Sequence, residues 1–222
     1  LAGATGYDVA VVTSESISRL IAKNAVLPLP ERFPMPAQGS SSPMYEALLE
    51  AIPNIDDYAI PYLWGTTGIV YNREEVLRRI PNAPLNSWAL IFDPANAQAL
   101  ADCGITIVDS VEEVVPAALS YLGKDPNSSD LGDIDAAFHV IRQIAPFVRS
   151  FHTDQFDDVA NQEICAAITW STDGLSMVPQ STVNALYQYV APTEGANFWV
   201  DLLVIPSDAK DSTLSMDLMN FI

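Results

Sequence analysis

The side chains best equipped for chemistry in this 222-residue chain are aromatics and carboxylates set close together along it. Trp170 and Asp173 follow one apolar run. Trp199 and Asp201 stand at alternate positions in another, so a strand there turns both side chains to one face. Tyr62 and Trp64 share that spacing. Aromatic faces attract cations and carboxylates neutralise ammonium groups, so such pairs suit an elongated organic cation with methylenes between its charges. Each pair also has a plainer reading, with the strand Trp as core and the Asp beyond it as a turn residue.

Reaction chemistry finds less support. His139 and His152 have no partner nucleophile and form no HExxH pattern. The stretch Gly65-Thr66-Thr67-Gly68 lacks the glycine spacing and the Lys of a phosphate loop, and reads as a turn or a closely packed strand. Glu112 and Glu113 are a carboxylate pair suited to acid–base work, yet Glu112, three residues after Asp109, also completes a capping box. No catalytic set emerges, and no cofactor is expected.

The elements that must position these groups come from composition and pattern. Acidic residues number 28 against 10 basic ones, a formal charge of −18, while 49% of the chain is hydrophobic. That is the make-up of a globular protein of one or two domains. Its field repels phosphates, which argues against nucleic acid or an anionic membrane as partner and favours cations; an acidic surface that merely aids solubility fits the same charge. No apolar run is long enough to span a membrane. The chain opens at Leu1 without a leader pattern, so any targeting segment is expected to lie outside it. Cys103 and Cys165 form neither a metal knuckle nor a CxxC pair, and a disulfide and two buried thiols both stay open.

Short apolar runs alternate with helical patterns, predicting an α/β protein with largely parallel strands. A buried strand is expected over 7–12, then a helix from Ser14 with Ile17, Leu20, Ile21 and Val26 on one face, ended by Pro28 and Pro30. A second helix is expected over 44–51. Residues 58–72 read as one extended segment, long enough to cross from lobe to lobe. Helices follow over 73–79, 88–90 and 94–101, then a strand over 105–108 and a helix over 111–122 capped by Asp109 and bent at Pro116. Beyond a polar loop over 123–135 come a helix (136–145), a strand (148–151) and a short helix (156–162). A central strand over 164–170 delivers Trp170 and Asp173 at its end. Residues 181–187 carry no clear pattern; 188–190 and 198–205 read as extended, and 212–222 as a helix.

Four segments carry a resemblance: IPYLWGTTGIVYN (60–72), NSWALIFDPAN (86–96), YLGKDPNS (121–128) and EGANFWVD (194–201). They resemble the periplasmic polyamine-binding proteins of bacterial spermidine/putrescine ABC transporters, over nearly the whole chain. The resemblance implies a two-lobed α/β fold of the type II-like periplasmic binding class, with a cleft that takes a polyamine and presents it to a membrane permease. It further implies a periplasmic monomer without catalysis, cofactor or nucleic acid. One lobe is expected over 1–66 and 191–222 and the other over 67–190, with hinges near 66–72 and 188–194. The family's opening cleft turn and closing segments have no counterpart, so the resemblance casts the chain as an incomplete fragment.

Carried over by position, Trp170 matches a cleft Trp, and Asp173 and Asp201 match amine-binding carboxylates. Trp199 takes the aromatic place two residues before Asp201. Glu113 matches a helix-borne glutamate that grips the ligand, Thr13 a hydroxyl at the first strand-to-helix turn, and Tyr62 an aromatic near the cleft. Glu15 and Ser110 fall where the family varies with ligand. Trp199 leans toward spermidine over putrescine; Ser110 leans the other way, with Glu15 able to replace the missing charge. The cysteines align with a family disulfide, implying a Cys103–Cys165 bond. Another small organic cation, or an enzyme on the same scaffold, are the alternatives.

Overall fold

The computed structural model describes residues 6–30, 50, 52, 54–178 and 186–222. Most of the helix expected over 44–51 and most of the 181–187 stretch lie outside the described residues. The chain divides into two compact units, one of Leu1–Trp64 with Trp199–Ile222 and one of Gly65–Phe198.

The smaller unit opens with β1 (Ala10–Thr13) and α1 (Ser14–Ala22). After a 3-10 turn at Ile55–Asp57, β2 (Ala59–Asn72) carries the chain from the smaller unit into the larger. There follow α2 (Arg73–Arg79), α3 (Ala89–Phe92), α4 (Pro94–Leu100), β3 (Ile105–Ile107), α5 (Val111–Tyr121) and α6 (Leu131–Ile144). Next come β4 (Ser150–Phe151), α7 (Phe156–Ala160), β5 (Ala166–Trp170), α8 (Ser171–Met177) and β6 (Tyr187–Val190). The smaller unit is completed by β7 (Phe198–Val204) and α9 (Ser212–Phe221).

Strand directions depart from the expectation of a largely parallel sheet. In the larger unit β3 runs parallel to both β4 and β5, but β5 and β6 each run antiparallel to β2. In the smaller unit β1 and β7 are antiparallel. The apolar runs look alike in either direction, because a strand covered on both faces loses the alternation that would mark it. Side chains of β2 show this: Ile69 and Tyr71 join the main core with Trp88, Phe92, Ile107 and Ile168, while Val70 joins Val159, Ala167 and Met177 on the opposite face. The smaller unit buries Ile60, Leu203, Ile205 and Met219 together.

Several local expectations are corrected. The first strand is half-exposed rather than buried, with Val11 at 51% exposure. Helix α1 stops at Ala22 because Asn24 adopts a left-handed φ of 49°, so Pro28 and Pro30 lie beyond its end. Val26 is therefore not on the helix; it bridges to Pro206. Helix α6 begins at Leu131, inside the stretch expected to be loop, because the Asp130 carboxylate accepts from the Gly132 and Asp133 amides. At α5 the N-cap is Ser110, not Asp109. The Ser110 hydroxyl donates to Glu112 at 3.3 Å instead of capping the backbone, and no capping box forms.

The Cys103–Cys165 disulfide is present, with Cα atoms 5.5 Å apart. It ties the residues before β3 to the start of β5 across a separation of 62 residues. In the chain-entropy account a closed loop of that length stabilises the fold by about 4 kcal/mol. Unreduced, denatured protein is expected to show no titratable thiol, and Cys103→Ser/Cys165→Ser to lose about that stability in chemical denaturation. Two free thiols per chain would contradict the bond.

Candidate functional site

Glu113 is the most confined carboxylate among the residues brought together in the larger unit. It stands in the first turn of α5, where a negative charge is favoured by the helix dipole, and only 6% of its surface is exposed. Three donors converge on it. The Thr67 hydroxyl of β2 and the Asn197 amide (2.7 Å) donate to Oε2, and the Trp170 indole N–H donates to Oε1 at 3.2 Å. All three donors are neutral. Among the described residues no Lys, Arg or His is within ion-pair distance of it.

The surrounding backbone accounts for this arrangement. Pro116 lies inside α5 and has no N–H to offer the Glu112 carbonyl four residues earlier. Asn197 supplies a donor to that carbonyl at 3.4 Å, so one amide serves both Glu112 and Glu113. The Asn197 carbonyl in turn accepts from the Thr67 backbone N–H at 2.9 Å, holding the two donors of Oε2 side by side. Gly68 fits the closely packed strand expected for the glycine-threonine stretch. A Cβ at Gly68 would collide with Val190 and Tyr189, and one at Gly174 with the Tyr189 ring. Those two glycines admit Tyr189, whose hydroxyl reaches the Thr66 hydroxyl and carbonyl, each at 3.1 Å.

Trp170 ends β5 and precedes α8, which carries Asp173 in its first turn. Burial, then the neighbouring Asp154 charge, raises the Asp173 carboxyl above the usual carboxylate range. Ser110 is half-buried at the start of the same helix as Glu113 but is bonded to Glu112.

In the smaller unit the strand register sets Thr13 directly opposite Asp201. Glu15 follows in the first turn of α1. Burial, then the Glu15 charge, raises the Asp201 carboxyl. Trp199 shares the Asp201 face of β7 by strand alternation and is 9% exposed; its indole N–H has no partner among the described residues. Tyr62 is 43% exposed on β2, and among the described residues no hydrogen bond or ring contact joins it to the others of either cluster. The sequence reading missed Thr67 and Asn197. Asn197 had one signal, Pro116, a helix proline that leaves the Glu112 carbonyl in need of an outside donor; Thr67 had none.

The chain matches the bacterial extracellular solute-binding protein family over residues 2–222. It belongs to that family. Its relatives include the putrescine-binding periplasmic protein SpuD of Pseudomonas aeruginosa, 35% identical over all of this chain and 62% of its own length. The putrescine-binding periplasmic protein PotF of Escherichia coli is 32% identical, again over all of this chain and 61% of its own. Among solved structures, a putative spermidine/putrescine ABC transporter from Listeria monocytogenes superposes with a TM-score of 0.78 at 27% identity, covering 99% of this chain and 63% of that one. The chain spans about three-fifths of the length of the curated relatives it matches. The family is one of binding proteins, not enzymes, and its fold is the two-lobed α/β one. Among the described residues no helix is long and apolar enough to cross a membrane.

The raised carboxyls give a stability test with a definite sign. A carboxyl whose folded pKa exceeds its unfolded value contributes stability below the unfolded pKa, and that contribution is lost as pH rises through the folded one. Asp201→Asn is therefore expected to raise the melting midpoint of the unliganded protein at pH 7. The gain should vanish at pH values below the ordinary carboxylate range, where Asp201 is protonated in both states. A midpoint lowered at pH 7 would contradict the repulsion described.

Proposed function

We propose that this chain is the greater part of a periplasmic protein that captures an aliphatic polyamine and delivers it to an ABC permease. The observation that carries the reading is that the carboxylates of the clusters have no cationic partner among the described residues. Glu113 is buried among neutral donors with no cation beside it, and Asp173 and Asp201 each lie near a second carboxylate. A buried carboxylate without a counter-charge is expensive, and a ligand with ammonium groups supplies what the protein lacks. The names of SpuD and PotF, both periplasmic putrescine binders, support the same class.

In this reading Glu113 and Asp173 take ammonium groups from one lobe (67–190). Asp201, with Glu15 and the Thr13 hydroxyl, takes them from the other (1–66 and 191–222). Trp170, Trp199 and Tyr62 cover the methylenes, and Ser110 tunes ligand choice. The protein works as a monomer, with no nucleic acid partner, since its acidic field repels phosphates. Spermidine is the preferred ligand, because the Trp199 indole attracts a secondary ammonium more strongly than a smaller ring would, a contribution of about 0.5 to 2 kcal/mol. Relatives named for putrescine weigh on the other side.

Calorimetric titration of the full-length gene product with spermidine, putrescine, cadaverine and agmatine tests both levels. Binding of at least one polyamine is expected, with Asp201→Asn weakening it by roughly 1.5 to 3 kcal/mol, the range for a hydrogen bond to a charged group. A folded Asp201→Asn protein of unchanged affinity would remove that residue from the site. Spermidine is expected to bind more tightly than putrescine, and Trp199→Phe to narrow the gap. The reverse order would overturn the role given to Trp199 and leave the polyamine reading standing.

A further inference from the structure

We infer that Thr67 and Asn197 are positioning residues for Glu113, fixing Oε2 so that the free lone pair of Oε1 is aimed at the ligand. The inference rests on the polyamine reading and adds two residues to it. Both donors sit close to the points where the chain passes between its two units, at Trp64–Gly65 and Phe198–Trp199. They are bonded to each other through the backbone, Thr67 N–H to the Asn197 carbonyl at 2.9 Å. They therefore move as one clamp on one oxygen.

The division of labour follows from the lone pairs. A carboxylate offers about four acceptor sites on its two oxygens. Two donors occupy Oε2, while among the described residues Oε1 accepts only from the Trp170 indole. Oε1 is thus the oxygen with capacity left for an ammonium group. Without the clamp a glutamate has rotamer freedom to spread over several positions, and binding an ammonium would then have to order it. Thr67 is fully buried, as are the β2 residues that follow it, so its hydroxyl has little choice of direction. Asn197 is held by its second bond, to the Glu112 carbonyl.

The test is a double-mutant cycle on the full-length protein. Thr67→Val, nearly the same shape without the hydroxyl, is expected to weaken spermidine or putrescine binding about tenfold. Thr67→Ser should restore it. In a Glu113→Gln background Thr67→Val should have little further effect, because the group it positions is already altered. A readout without ligand accompanies these: hydrogen exchange at the Trp170 indole N–H, followed by NMR, should quicken in Thr67→Val and recover in Thr67→Ser. Equal affinity losses from Thr67→Val in both backgrounds, or an unchanged indole exchange rate, would overturn the positioning role. Should the unaltered protein bind no polyamine, the functional reading falls while the indole measurement still decides whether Thr67 holds Glu113.

Discussion

A carboxylate taken out of water needs compensation, and at Glu113 the compensation comes from dipoles instead of a cation. Its three donors arrive from β2, from β5 and from the segment leading into β7, so one side chain joins parts of the larger unit that are distant in sequence. Much of the local irregularity answers to that requirement. Pro116 frees a carbonyl that holds Asn197 in place, and Gly68 leaves room for Tyr189 beside the strand that carries Thr67. The arrangement satisfies the oxygens without neutralising the charge, which is the condition a site for cations has to meet.

The same logic runs through the rest of the carboxylates. Asp173 and Asp201 are each partly withdrawn from water and lie near a second carboxylate, Asp154 and Glu15 respectively, and burial first and that neighbouring charge second make the two harder to ionise. Other acids are paired with cations: Asp102 and Glu75 share Arg79, and Asp133 meets Lys124. Stability is sacrificed at Asp173 and Asp201, a common trade at functional sites.

Much of this was legible in the residues. The alternation of Trp199 and Asp201, the Trp170–Asp173 strand end and the long extended run into Asn72 all follow from local pattern, and the structure forms strands there. The direction of pairing was not legible, since β5 and β6 run against β2 with the same apolar composition that a parallel neighbour would have. Nor was the clamp on Glu113. Thr67 and Asn197 lie 46 and 84 residues from it in sequence, and a Thr in a strand or an Asn before one is unremarkable by type. Helix starts failed where acids were plentiful: 125–135 offers several capping groups, and only the folded chain selects Asp130. The cysteine pairing came from resemblance; composition alone left it open.

The central claim is that ligand ammonium groups supply the charge these carboxylates lack, and proton release on binding tests it most directly. Aliphatic amines stay protonated above neutral pH, so just above the ordinary carboxylate range the ligand carries its full charge while raised carboxyls hold part of theirs back. Titrating spermidine and putrescine into the full-length protein in buffers of different ionisation enthalpy measures the protons exchanged. The account predicts net release at pH values just above the ordinary carboxylate range that fades as pH rises further, as the bound cation draws the carboxyls back to ionised form. Binding with no proton release, or with uptake, would contradict it.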